Sequence, residues 1–130
     1  MEKDLKFSSA VCTSRVQSER LLALGLKPET ADCCYYYYDG EYLIAFAEDA
    51  KYPSDIPAWS LDRLRELIPE NIFTGVRNQW HRVMYNGILT YEEGDDSLVI
   101  FREENIYDRC ISCIEWLIKE GYFNKEYLEE

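Results

Sequence analysis

Between Tyr35 and Phe46 the chain reads as two strand-like runs separated by Asp39-Gly40, and between Trp80 and Tyr91 it repeats the arrangement around Asn86-Gly87. Such pairs favour the type I′ turn, whose two central residues need positive φ, a conformation open to glycine at no steric cost and to Asn or Asp at little. Two β-hairpins are predicted. In the simple two-residue register the first pairs Tyr38 with Glu41, Tyr37 with Tyr42, Tyr36 with Leu43 and Tyr35 with Ile44. Alternation then places Cys33, Tyr35, Tyr37, Tyr42, Ile44 and Phe46 on one face and Cys34, Tyr36, Tyr38, Glu41, Leu43 and Ala45 on the other. The first face is the more apolar and is expected to turn inward, burying Phe46 and leaving Tyr36 and Tyr38 outside.

Helical periodicity appears three times. Ser14, with Gln17 three residues on, makes a capping box for a helix running to about Leu24, and Gly25 supplies its stop. Its apolar residues form no single stripe. Pro28 opens one further turn, and Glu48 to Pro57, holding Pro53 and Pro57, reads as a loop. Ser60 then caps a helix from Leu61 to Ile68, closed by Pro69, whose Leu61, Leu64, Leu67 and Ile68 share a face that should lie on the sheet. The second hairpin extends into a three-stranded meander, Trp80 to Tyr85, Ile88 to Glu92 and Leu98 to Arg102, through the turn Gly94-Asp95-Asp96. Apolar residues on both of its faces leave the buried side unassigned.

The longest periodic run begins after Asn105, a cap with Asp108 at the third position, and ends at Gly121. Ile106, Tyr107, Cys110, Ile111, Cys113, Ile114, Leu117 and Ile118 make one broad apolar arc. Trp116 stands outside it, among Arg109, Ser112 and Lys119, and Glu115 and Lys119 are spaced for an i,i+4 ion pair. The whole is one α+β domain over residues 1–130, an antiparallel sheet built from two β-hairpins (about five strands) packed by two main helices plus a short N-terminal helix.

Charge narrows the function. Lys and Arg number 14 against 25 Asp and Glu, a formal net charge of −11, which repels phosphate backbones, so no direct nucleic acid binding is expected. The excess is concentrated late: residues 1–65 carry net −3 and residues 66–130 net −8. Hydrophobic residues at 47% suit a folded core. No apolar run reaches the length of a signal-peptide core or a membrane span, so no membrane association is expected. The five cysteines, an odd number, suit reduced thiols in a cytoplasmic protein.

Residues able to carry chemistry are few. Cys110 and Cys113 have C-x-x-C spacing, yet both lie on the apolar arc of a helix, which reads as core packing. Cys33 and Cys34 alternate across a strand and cannot share a metal. His81, the one histidine, faces Glu92 across the second hairpin without a nucleophile or oxyanion site beside it. Glu92, Glu93, Asp95 and Asp96 crowd a turn that lacks the ligand alternation of a calcium loop. Arg77, His81 and Arg82 form only a small basic island, and phosphate-cradling glycine loops are absent. No cofactor, metal or catalytic residue is expected.

The motifs Cys12-Thr13-Ser14-Arg15, Leu21-Leu22-Ala23-Leu24-Gly25-Leu26, Glu29-Thr30-Ala31-Asp32, Ile56-Pro57-Ala58-Trp59-Ser60-Leu61, Glu115-Trp116-Leu117-Ile118 and Gly121-Tyr122-Phe123-Asn124 follow one another in this order. In that order the chain resembles uncharacterised short proteins of Bacteroides-type gut bacteria and their mobile elements. The resemblance implies no activity, cofactor or site residue.

The residues themselves point first to a non-enzymatic protein-binding module of the cytosol, its partner an unidentified protein. Tyr36, Tyr38 and Trp116 are its candidate aromatic anchors, and Glu92, Glu93, Asp95 and Asp96 its acidic contacts. The alternative is an acidic inhibitor that mimics nucleic acid against a DNA-handling enzyme. A small enzyme using His81 comes third.

Overall fold

The computed structural model describes residues 10–46, 55–75, 78–85 and 87–130. Three helices and two antiparallel sheets make an α+β fold. Helix α1 (Arg15–Ala23) opens on the expected capping box, in which the Ser14 hydroxyl accepts from the Gln17 N–H and the Gln17 side chain accepts from the Ser14 N–H. Only Ser18 and Leu21 of this helix are buried, as its broken apolar pattern implies. Gly25, at φ 101°, turns the chain out of it, and a single 3₁₀ turn follows at Pro28–Thr30.

Strands β1 (Cys33–Tyr38) and β2 (Glu41–Phe46) pair in the predicted register across Asp39-Gly40, both at positive φ. β3 (Ile56–Ala58) then pairs with β1, completing a sheet in the order β2-β1-β3. The end of the expected loop is thus strand. Pro57 tolerates this place because β3 is a short edge strand, where a missing N–H forfeits little. Residues 48–54 of that loop lie outside the described residues.

Ser60 caps α2 (Leu61–Leu67), and Leu64, Leu67 and Ile68 are buried as expected. The stripe is buried in one cluster with Ile72, Leu89 and Tyr91 of the second sheet and with residues of the third helix. Beyond it lie β4 (Asn71–Phe73), β5 (Gln79–Tyr85), β6 (Ile88–Glu93) and β7 (Asp96–Phe101), a second sheet in sequence order. The meander is present, with a bulge at Tyr91/Glu92 and a two-residue turn at Gly94-Asp95. Three-residue β4 is too short to show alternation and escapes sequence reading. Asn86 of the second hairpin turn lies outside the described residues.

Helix α3 (Ile106–Glu120) is the spine of the core. Asn105 accepts from the N–H groups of Tyr107 and Asp108, and Gly121 closes the helix in the left-handed region. Its buried arc packs with Leu89 and Tyr91 of β6, Leu64 and Ile68 of the α2 segment, Leu21 of α1 and Trp59. This settles the second sheet: Ile72, Leu89 and Tyr91 face the helices, while Phe73, Tyr85 and Ile100 are exposed on the other side. Glu115 reaches Arg20 of α1 at 3.8 Å and not Lys119. The C-terminal residues add a bridge of Leu26 with Leu128 and donate the Glu129 N–H to the Gly25 carbonyl.

The face assignment of the first hairpin holds for Cys33 and Tyr35, which are covered, and for Tyr38, which is outside, and it fails for the rest of the face expected inward. Phe46 is 68% exposed, and Tyr37, Tyr42 and Ile44 are exposed with it, whereas Tyr36 and Leu43 of the opposite face are half-buried. Burial fades along β1 toward the tip, whereas along β2 it alternates, leaving Tyr42, Ile44 and Phe46 exposed even where Phe46 pairs with buried Cys33. Replacement of Phe46 by Ala should therefore change the free energy of unfolding by no more than about 0.5 kcal/mol. Trp59→Ala, which empties a fully buried site, should cost about 3–5 kcal/mol; paired urea denaturation curves check both.

Candidate functional site

Among the described residues the first sheet is anchored chiefly at one end. Thr13 and Trp59 bond reciprocally, the Thr13 N–H to the Trp59 carbonyl at 2.9 Å and the Trp59 N–H to the Thr13 hydroxyl at 3.0 Å. The Tyr35 hydroxyl donates to the Thr13 carbonyl at 2.8 Å, and Cys12, Cys33 and Ala58 bury one another beside it. Asp32 accepts from both the N–H and the hydroxyl of Ser60, so the residue that caps α2 is itself fixed to the entrance of β1.

From that anchor the hairpin runs outward, and its burial fades along β1 from Cys33 and Cys34 to the exposed Tyr37 and Tyr38. The Tyr37 and Tyr42 rings meet edge to face at 5.2 Å, and the Arg15 guanidinium lies 4.2 Å from the Tyr42 ring centre. These contacts fix ring positions without covering them. In a two-residue hairpin the residues flanking the turn exchange backbone bonds, so alternation aims the backbone of Tyr42 and Ile44 away from β1. β2 is an edge of its sheet. Exposed side chains and main-chain groups without a strand partner among the described residues therefore coincide at Tyr42 and Ile44.

The residues expected to bind a partner are scattered. Tyr38 is exposed near the hairpin tip, and Tyr36 is half-buried. Glu93, Asp95 and Asp96 are exposed at the β6–β7 turn of the other sheet, and half-buried Glu92 accepts from the Tyr85 hydroxyl at 3.4 Å. Trp116 does not stand free on a polar face: its ring stacks on Tyr91 at 6.3 Å and meets Phe101 and Tyr122 at 6.4 and 5.7 Å. Arg109, expected beside it on the polar side, is buried. Sequence reading missed Tyr42, Ile44 and Phe46, because apolar alternation looks the same on a covered and an open face.

His81 faces Glu92 across the strands as expected, but its Nδ1 bonds the Asn71 side-chain oxygen at 2.5 Å. Arg77 of the small basic island lies outside the described residues. Among the described residues no group of three His, Cys, Asp or Glu side chains is arranged to hold a metal ion, and no helix is long and apolar enough to cross a membrane. All five cysteines are buried. Burial raises the Cys110 thiol to about 11 and pushes Cys113 up as well. Burial, with the nearby Asp32 carboxylate, raises Cys33 to about 11. These thiols are held neutral, the opposite of what a nucleophile needs.

Comparison of the chain with protein-family models, with curated proteins and with solved structures finds no match. The site is read from its own geometry.

A pH dependence follows from the thiols. A thiol whose folded pKa is raised keeps its proton where the unfolded chain has lost it, so its stabilisation is complete below the unfolded value and is lost as pH rises through the folded one. The free energy of unfolding should fall between pH 9 and about 11, the window set by Cys33 and Cys110. Denaturation curves across that range, with Cys110→Ala flattening the slope, check it.

Proposed function

We propose that this protein is a non-enzymatic binding module that takes an extended segment of a protein partner onto the open edge of β2. The observation that carries this reading is the coincidence at Tyr42 and Ile44 of outward main-chain groups with exposed side chains. Strand addition draws affinity from the first and specificity from the second. Tyr37, Tyr38 and Phe46 extend the aromatic area beside that edge, and tyrosine supplies contact surface at low conformational cost. We read the module as cytoplasmic, which suits five buried cysteines.

The nucleic-acid mimic ranks second. It needs carboxylates in rows along an extended face. The described acids instead lie on separate elements, with Glu93, Asp95 and Asp96 at one tight turn, Asp62 and Glu66 on α2, and Glu115 and Glu120 on α3.

Selection of binders from a random peptide library, followed by hydrogen exchange of the complex, tests strand addition. The amides of Tyr42 and Ile44 should exchange fast in the free protein and become protected on binding. Ile44→Pro is the sharpest variant, because it deletes an N–H that does not bond β1 and so should retain the hairpin while lowering affinity at least tenfold. Protection confined to the β6–β7 turn, or full affinity in Ile44→Pro, would sink the edge as the site.

A further inference from the structure

A second feature, on the opposite side of the chemistry, concerns the few positive charges. In a chain of net charge −11, three arginines converge where α2, β5 and α3 meet, and none of Arg65, Arg82 and Arg109 forms an ion pair among the described residues. Their combined field is felt at Cys110, where all three oppose the dominant effect of burial on the thiol.

Two of the three are fixed by backbone carbonyls, which hold a guanidinium without neutralising it. Arg82 donates through Nη1 to the carbonyls of Arg65 at 2.8 Å and Ile68 at 2.7 Å, clamping the last turn of α2, from which Arg65 extends. Arg109 donates through Nε to the Glu103 carbonyl at 2.9 Å and through Nη2 to the Glu104 carbonyl at 3.2 Å. Only 5% of Arg109 is exposed, an uncommon burial for a charge with no counter-ion. Glu103 itself does not supply one: its carboxylate is outside ion-pair range, and its Oε2 is buried without a partner.

Arg65 and Arg109 border a cavity of about 300 Å³, at the lower end of the size of small-molecule sites. Leu61, Met84, Ile88 and Ile106 supply its apolar lining. A lining that combines two guanidinium charges with four apolar side chains is complementary to a molecule with one anionic head and a short hydrocarbon body. We propose that this cavity binds a small amphipathic carboxylate, its head between Arg65 and Arg109 and its body on Leu61, Met84, Ile88 and Ile106. A carboxylate is favoured because the exposed Arg65 guanidinium presents parallel N–H donors that match its two oxygens, while Arg109, whose Nε and Nη2 are held by backbone carbonyls, adds its charge. The site is independent of the β2 edge and survives failure of that reading.

Titration of the isotope-labelled full chain with sodium hexanoate, followed by amide chemical shifts, tests the proposal. Hexanoate should shift the amides of Gly87, Ile88 and Ile106 saturably, and hexan-1-ol and inorganic phosphate should bind at least tenfold more weakly, since each offers half of the recognition. Arg65→Gln, a change on an exposed side chain, should weaken hexanoate about tenfold, the loss of one charge-assisted contact, with an unchanged melting temperature. Arg65→Lys should recover part of that loss. No saturable shift, equal binding of hexan-1-ol or of phosphate, or full affinity in Arg65→Gln would each overturn it.

Discussion

The bonded pair formed by Thr13 and Trp59 is the constraint on which the other elements depend. Trp59 commits its N–H and carbonyl to Thr13 and its indole N–H to the Thr30 hydroxyl at 3.0 Å, so a wholly buried ring leaves no donor unsatisfied. The Thr13 hydroxyl continues to Ser18 of α1 at 2.8 Å. Its neighbours in sequence extend the reach: Ala58 ends β3, and Ser60 caps α2 while held by Asp32. One short segment thereby fixes α1, the first sheet and α2 to the core that α3 organises. Loss of the ring would remove both volume and the reason these elements share an orientation.

Much of this architecture was legible wherever the signal is local. The Asp39-Gly40 turn set the β1–β2 register, and the capping residues Ser14, Ser60 and Asn105 marked three helix starts, because each rule acts over a few residues. What escaped was non-local. β3 and β4 have three residues each, and their existence follows from the strands they join rather than from their own pattern. The antiparallel bridge of Leu26 with Leu128 joins nearly opposite ends of the chain and leaves no mark in either segment.

The same distinction explains the surface. Hydrophobic alternation identified the faces of the first hairpin but not how far along them the cover extends, since among the described residues Cys12 and Thr13 return over Cys33 and Tyr35 and leave Tyr42, Ile44 and Phe46 open. Arg109 shows the converse: a charge assigned to solvent by its helical position is buried because the loop before α3 turns two carbonyls toward it. Trp116 likewise lies beyond the apolar arc, yet Tyr91, Phe101 and Tyr122 reach it from other elements. Long side chains at the border of a helical stripe are placed by their neighbours more than by their own spacing.

The one-ended attachment of the first hairpin bears on how this protein can change over time. Its distal residues, Tyr37 to Leu43, contribute little to the core, so most substitutions there are released from the demand that the chain still fold. Near Cys33 and Trp59 the same mutational drift would be purged for instability. The tip can thus acquire or exchange contacts one residue at a time while its base holds the architecture constant, a division of labour resembling that of variable loops on a conserved frame. Diversity within this lineage should concentrate at the tip.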